Sequence, residues 1–332
     1  MKLKEIYDNP FRILGASPAD PRSKLNALAE NASLLGGADV EDAINKLILP
    51  HARFQAELNW FPCTNEQEIR KVLDYSGEAG EEAPDFSSDS VLAQFNACRI
   101  FSEGWPVTDV ASARALCRSF ALVYERVSPE KTMEEMNRDR EKSGFPFLAE
   151  ADDIVYRLAE FRRKIVADLY TRINWSLEDS TTDVMVELAK DYGDRNGPYR
   201  FSILLADLIS AYEMTKHDTI QSYVKTMEET MQAGKSLNQA VTLPSVLKKW
   251  HTLTLPGRLI SRKKGAADSS VMRLYRQLDQ YSVWMCNEWK QYAICEAILQ
   301  TMRETFSDVP DREQEHIKKN LQIVENMIRK KQ

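Results

Sequence analysis

The chain has 332 residues, 43% of them hydrophobic and 28% charged, a balance typical of globular proteins with about two domains. Its formal net charge of -6 argues against a protein whose whole surface is basic for nucleic-acid binding. The chain has only 12 glycines and no alternating strand pattern of useful length, so an all-α fold is favoured over a turn-rich β fold.

Cysteine and histidine usage gives no sign of a disulfide framework or a metal centre. The 5 cysteines are scattered without a CxxC pair, and the 4 histidines have no Cys or His neighbour at ligand spacing. The opening sequence MKLKEIYDNPF has no apolar signal core, and no apolar run approaches the length of a membrane span. We therefore expect a cytoplasmic protein without a cofactor or a metal.

A small helical module is predicted at the start of the chain. Asp20 is expected to cap a helix that has Pro21 at its first position and stops at Gly36–Gly37. Because Pro50 cannot supply a helical N–H, the next helix should end just before it and another should start there. Arg53 is then free to hydrogen-bond the terminal carbonyls of a neighbouring helix.

An acidic segment follows this module. Residues 74–90, DYSGEAGEEAPDFSSDS, are rich in Gly and Ser and poor in apolar side chains. This composition predicts a flexible linker. It would separate a helical module at residues 1–73 from a larger helical domain at residues 91–332.

Helical periodicity continues through the larger domain. Ser128–Pro129 closes one predicted helix and opens the next. Between Gln232 and Ser270, two Leu-Pro breaks and a basic tip predict a long connector or short helices. One long helix is then expected up to SDVPDR, where Asp311 and Gln314 are spaced as a capping-box variant. Its apolar stripe consists of Leu274, Leu278, Tyr281, Met285, Tyr292, Cys295, Leu299, Met302 and Phe306.

The last helix should run antiparallel to this long helix. Its apolar face is Ile317, Leu321, Val324 and Ile328. The pair resembles one unit of a helical repeat such as the tetratricopeptide type. No second copy occurs at a fixed period, so an ordinary helical hairpin is the preferred interpretation.

Residues 1–61 resemble a J-domain. In that family the third helix ends with an Ala, a Leu, an Asp-Pro and an Arg, at the intervals found here from Ala43 to Arg53. The opening NPFRILGASPADPRSKL is similar to the family's start, where a Tyr-x-x-Leu-Gly turn leads into the second helix. The matching positions are Phe11, Leu14, Gly15, Ala43, Leu47, Pro50 and Arg53.

The chain lacks the tripeptide by which J-domains stimulate ATP hydrolysis in their heat-shock chaperone partner. That His-Pro-Asp tripeptide lies between the second and third helices of the family, where this chain reads LLGGADVEDA. The family's second helix is also basic and matches an acidic chaperone surface, whereas here Arg22 and Lys24 stand beside Asp20 and Glu30. The resemblance therefore implies a J-like fold without the catalytic stimulus.

Three groups of residues are candidates for binding a partner. The basic group would contact phosphate or an acidic partner, although a solvated loop is the preferred interpretation, and the aromatic group is too large for one core stripe. The candidates are Arg22 and Lys24 in the second predicted helix, Arg258, Arg262, Lys263 and Lys264 at the basic tip, and Trp284 and Trp289 near the C-terminus.

No catalytic motif accompanies these groups, since the sequence has neither a phosphate-binding loop nor a Gly-x-Ser-x-Gly elbow. The sequence predicts a non-enzymatic protein-interaction component, either a J-like co-chaperone or an adaptor. Its partner would be a heat-shock chaperone ATPase or a multiprotein complex. The alternative is a subunit of a nucleic-acid-associated or enzymatic complex that uses the basic loop near 258–264, although the net charge argues against nucleic acid. A homo-oligomeric scaffold held by the aromatic C-terminal helices is a third hypothesis.

Overall fold

The computed structural model describes residues 3–36, 39–75, 83–148, 151–233, 237–265 and 269–330. Within these ranges every regular element is a helix, which confirms the predicted all-α class. Among the same residues, no helix is both long enough and apolar enough to cross a membrane. Gly37 and residues 76–82 of the predicted linker lie outside the described ranges.

The chain divides into two compact units. Unit 1 comprises Met1–Glu178 and Ser202–Leu205, and unit 2 comprises Asp179–Phe201 and Ala206–Gln332. The helices up to the division are α1 (Lys4–Tyr7), α2 (Pro10–Leu14), α3 (Arg22–Leu34), α4 (Val40–Ile48), α5 (Pro50–Leu58), α6 (Glu66–Leu73), α7 (Val91–Glu103), α8 (Val110–Tyr124), α9 (Pro129–Ser143) and α10 (Ala151–Ser176). After a 3-10 turn at Glu178–Ser180 come α11 (Thr181–Gly193), α12 (Ile203–Ala233), α13 (Leu237–Lys263), α14 (Ser269–Asn287), α15 (Tyr292–Thr305) and α16 (Asp311–Arg329).

Pro50 and Pro129 set helix starts as predicted, whereas Pro21 lies one residue before α3 and not at its first position. Pro50 is the first residue of α5, and α4 ends two residues before it. Ser128 caps α9 by accepting a hydrogen bond from the Lys131 N–H, with Pro129 at the first helical position. The predicted role of Asp20 is wrong: α3 begins at Arg22, and the Asp20 carboxylate instead accepts from the Ser17 N–H at 2.9 Å.

One hydrophobic core joins the helices on both sides of the acidic segment. Ala93, Ala97 and Ile100 of α7 belong to the same buried cluster as the apolar residues of α1–α6. The Asn96 amide, also on α7, donates to the carbonyls of Leu58 at 3.0 Å and Trp60 at 2.6 Å. Residues 1–73, which the sequence predicted as a module of their own, therefore share unit 1 with α7–α10.

The described end of the predicted linker is attached to unit 1. The Phe86 ring packs edge-on against Phe61, with 6.1 Å between the ring centroids. Glu135 of α9 accepts hydrogen bonds from the Ser90 hydroxyl at 2.7 Å and from the Val91 N–H at 2.8 Å. A carboxylate at the start of α7 satisfies backbone donors that the helix cannot pair internally and offsets its dipole.

Unit 2 differs from the sequence prediction in its middle helix. Where a connector or short helices were predicted, α13 is one helix of 27 residues with Pro244 and Pro256 inside it. Each proline removes a helical hydrogen bond, but Leu243, Leu247 and Trp250 are buried in the core of unit 2. The free energy gained by burying these three side chains outweighs the cost of the lost hydrogen bonds. Helix propensity alone does not include this gain, so it predicted a break.

The predicted long C-terminal helix is two helices. Residues between Asn287 and Tyr292 separate α14 from α15, and Lys290 there has a positive φ of 54°. Both helices contribute to the core of unit 2, together with α16. The predicted capping-box variant is also wrong, because Asp311 lies inside α16 and Gln314 donates instead to the carbonyls of Ser307 and Val309 at 2.8 Å.

Candidate functional site

Five of the seven positions that carry the J-domain resemblance are buried in unit 1, whereas Gly15 and Pro50 are exposed. Gly15 ends α2 in the left-handed conformation, with φ of 61°, which glycine adopts without strain. Arg53 is only 1% exposed. The apolar members are also buried: Phe11, Leu14, Ala43 and Leu47. The five buried side chains hold the helices together and are not available to a partner.

Arg53 lies at the centre of a buried ion network. Its Nε donates to Glu57 at 2.8 Å, and its Nη1 donates to the Leu47 carbonyl in the last turn of α4 at 3.4 Å, as predicted for this arginine. A second guanidinium, that of Arg140 on α9, donates to the other oxygen of Glu57 at 2.7 and 3.1 Å. Burial lowers the pKa of Arg53, and Glu57 opposes that change. One carboxylate thus compensates two buried cations.

One exposed feature of unit 1 is a shallow groove of about 700 Å³ between α3 and α4. Leu34, at its edge, is 85% exposed, and the next residue, Leu35, is 88% exposed. Ala29 and Val40 are buried in its floor. We call this surface the α3–α4 face; it consists of Ala29, Glu30, Ser33, Leu34, Val40, Glu41 and Ile44, which line the groove, and Leu35 beside them.

Sequence reasoning missed the two exposed leucines. Leu34 lies off the helical spacing of Leu25, Leu28 and Ala32, and this was a signal in the sequence. Leu35 continues that spacing, but it follows the last residue of α3 in the structure. The predicted candidates Arg22 and Lys24 are exposed but do not line the groove, and Lys24 pairs with Asp20 at 2.7 Å.

The basic group of α13 does not form the predicted tip. Arg258 is 4% exposed, and its guanidinium pairs with Asp308 and donates to the Thr305 carbonyl at 2.8 Å. Arg262, Lys263 and Lys264 are exposed, and the Lys264 ammonium lies 5.8 Å from the Tyr192 ring centroid. The prediction that Arg258 belongs to a solvent-facing basic tip is therefore wrong, because the side chain has its partners in the interior of unit 2.

The two tryptophans near the C-terminus are half-buried. The Trp284 and Trp289 ring centroids lie 5.0 Å apart, and both rings pack against the core of unit 2. Tyr281 lies 5.8 Å from Trp284 in the same group. The two tryptophan rings therefore contact each other and the core of unit 2.

Unit 2 also contains a cavity of about 290 Å³ between α12, α13 and α14. Glu213, Glu228 and Arg273 are among its lining residues, and Glu228 approaches Arg273 at 3.8 Å. The buried Gln277 side-chain oxygen also lines it and accepts no hydrogen bond within the part of the chain that the structure describes. Its size is at the lower limit for a small-molecule site.

Three of the cysteine thiols are poorly suited to nucleophilic chemistry. Burial raises the pKa of Cys63 to about 11 and that of Cys98 and Cys295 to about 12. At neutral pH these groups are protonated, whereas the thiolate is the reactive form. Among the residues that the structure describes, no group of His, Cys, Asp and Glu could hold a metal ion.

We expect acidification to destabilise unit 2 through His251. Burial and the adjacent Arg258 guanidinium lower the pKa of this imidazole below 6.5. Below about pH 6.5 the unfolded chain therefore binds a proton that the folded chain does not, so the free energy of unfolding falls as the pH falls toward the folded pKa. Well above pH 6.5 His251 is neutral in both the folded and the unfolded chain, so no stability is lost there through its protonation.

Thermal melting at about pH 7.5 and 5.5 would measure this effect. His251→Asn retains a hydrogen-bond acceptor for Arg258 without the titration, so its melting temperature should fall less on acidification than that of the unmodified chain. The control is His217→Asn at an exposed position of α12. Equal pH dependence of the unmodified chain and His251→Asn would contradict the prediction.

Comparison with protein-family models, with curated proteins and with solved structures found no match for this chain. No family is therefore assigned, and the J-domain resemblance of residues 1–61 stays a prediction.

Proposed function

We propose that the protein is a non-enzymatic protein-interaction component, a J-like co-chaperone or adaptor that docks a partner on the α3–α4 face. The exposure of Leu34 and Leu35 carries this proposal. Two adjacent leucines in solvent beside an apolar groove are typical of anchor residues at a binding surface, because burying each one against a partner removes apolar area from water.

The position of this surface within unit 1 supports the same function. The face lies on α3 and α4, which are held by the buried network around Arg53 and Glu57 and by the core that includes Leu25 and Leu47. A rigid base reduces the entropy lost when a partner binds. The raised pKa values of the cysteine thiols favour a binding role over thiol catalysis.

The alternative function, a subunit that uses the basic loop near 258–264, has less support. Arg258 is committed to Asp308, which removes one of the four basic side chains on which that hypothesis depended. Phosphate binding gains affinity from each exposed cation, so the remaining three provide a weaker site.

The proposal predicts that Leu34→Ser together with Leu35→Ser abolishes partner capture without unfolding the protein. Both side chains are largely in solvent, so the exchange removes binding area while the core keeps its contacts. The measurement is affinity capture from host lysate, with circular dichroism to verify the fold.

The matched control is Leu122→Ser, at an exposed leucine of α8 that is 51% in solvent. Proteins retained by the control and lost by the double variant are partners of the α3–α4 face. If the double variant retains every protein that the unmodified chain captures, this face is not the docking surface and the proposal is wrong.

A further inference from the structure

We infer that the occupant of the α3–α4 face is a cationic amphipathic helix of another protein. This inference rests on the proposed function and adds the chemistry of the partner. It is drawn from the charge around the groove and from the shape of its floor.

The charged residues that line the groove of the α3–α4 face, Glu30 and Glu41, are both negative. Between Lys24 and Lys46 the sequence has no Lys or Arg, and it has four acidic residues: Glu30, Asp39, Glu41 and Asp42. Asp42 pairs with Lys46 at 2.5 Å. Glu30 and Glu41 line the groove, are exposed, and form no ion pair within the described ranges. Their charges are therefore available to a bound partner.

The floor of the groove is apolar between these carboxylates. Ala29 and Val40 are buried and Ile44 is half-buried, while Leu34 extends into solvent at the edge. An apolar strip between two acidic side chains complements a helix with leucine-like residues on one face and Lys or Arg beside them. The long aliphatic stems of Lys and Arg add apolar contact, and their charged ends reach the carboxylates at the rim.

The same charges disfavour other partners. A phosphate backbone or an anionic membrane surface would be repelled by the exposed carboxylates Glu30 and Glu41. An acidic protein surface, which the basic second helix of a J-domain matches, would be repelled for the same reason. The J-domain resemblance implies a partner with an acidic surface. The negative charge of the α3–α4 face instead favours a partner with a basic surface.

The test uses two synthetic helical peptides of about 18 residues, or five turns. One has leucine at helical spacing with lysine elsewhere, and the other has glutamate in place of lysine. Binding to the full chain is measured by fluorescence anisotropy. We expect the lysine peptide to bind at least about tenfold more tightly than the glutamate peptide, and to weaken as salt screens the charges.

Two double variants localise this binding. Glu30→Lys with Glu41→Lys should weaken binding of the lysine peptide about tenfold or more, since like charges then face each other. The control is Glu141→Lys with Glu160→Lys, which makes the same net-charge change at exposed positions of α9 and α10 in unit 1. If both pairs weaken binding equally, the attraction belongs to the whole acidic chain and the inference is overturned.

The leucine variant separates this inference from the proposed function. Suppose that Leu34→Ser with Leu35→Ser loses its captured host partners, while the lysine peptide binds no better than the glutamate peptide. The face is then a docking surface, but its occupant is not a cationic helix. If the leucine variant retains its host partners and its affinity for the lysine peptide, both statements fail.

Discussion

Replacing Glu57 with alanine is expected to lower the free energy of unfolding by about 3–5 kcal/mol. Glu57 is the only carboxylate that the Arg53 and Arg140 guanidiniums contact among the described residues, and all three side chains are at most 4% exposed. Its removal leaves two cations in a region where water cannot solvate them. Arg53 would keep its bond to the Pro18 carbonyl at 2.7 Å, but a neutral acceptor offsets little of the charge.

The structure provides a matched control for this change in unit 1. Glu66 and Arg70 on α6 also stand four residues apart and approach at 2.5 Å, but their side chains are 75% and 71% exposed. Glu66→Ala should leave the urea midpoint essentially unchanged, because solvent screens an exposed pair. Equal shifts for Glu57→Ala and Glu66→Ala would show that burial of the network contributes nothing.

The second large effect is expected for Arg258→Ala in unit 2, which should lower the free energy of unfolding by about 2–4 kcal/mol. The guanidinium donates from Nε to Asp308 at 2.9 Å, and it lies 5.2 Å from the Trp250 ring centroid and 5.6 Å from that of Phe306. The loss is smaller than for Glu57 because Asp308 keeps partial access to water, with 19% of its side chain exposed.

Urea denaturation should rank the α13 variants in a definite order. Arg262→Ala, at an exposed position one turn further along, should cause no shift in the midpoint. Arg258→Lys should fall between Arg262→Ala and Arg258→Ala, because an ammonium keeps the charge but cannot bond Asp308 and the Thr305 carbonyl in a fork. A midpoint for Arg258→Ala equal to that for Arg262→Ala would mean that Arg258 contributes nothing to stability.

The sequence predicted those features of the fold that depend on neighbouring residues. The break at Pro50 and the cap at Ser128 follow from the missing proline N–H and from a side-chain oxygen placed next to it. The all-α class follows from apolar spacing that repeats along most of the chain. These signals act within one or two helical turns.

Features that depend on distant residues were not predicted. Arg258 was expected in solvent because no residue near it in the sequence indicates an internal partner. Its partner, Asp308, is 50 positions away. The continuity of α13 depends on burial of Leu243 and Leu247 among other helices of unit 2. The α3–α4 face was not predicted because tertiary packing decides which apolar side chains remain exposed, and the local sequence does not show that packing.

The common core of α1–α7 has a consequence for how this chain can be recombined with others. Many small interaction modules can be transplanted between proteins because each one buries a hydrophobic core of its own. Residues 1–73 instead share their core with α7. Their removal would expose Ala93, Ala97 and Ile100, and it would leave the Asn96 amide without its two carbonyl acceptors. A portable piece would therefore have to include α9, which supplies Glu135 and Arg140, and α10, whose Phe161 packs against the buried Phe95 of α7.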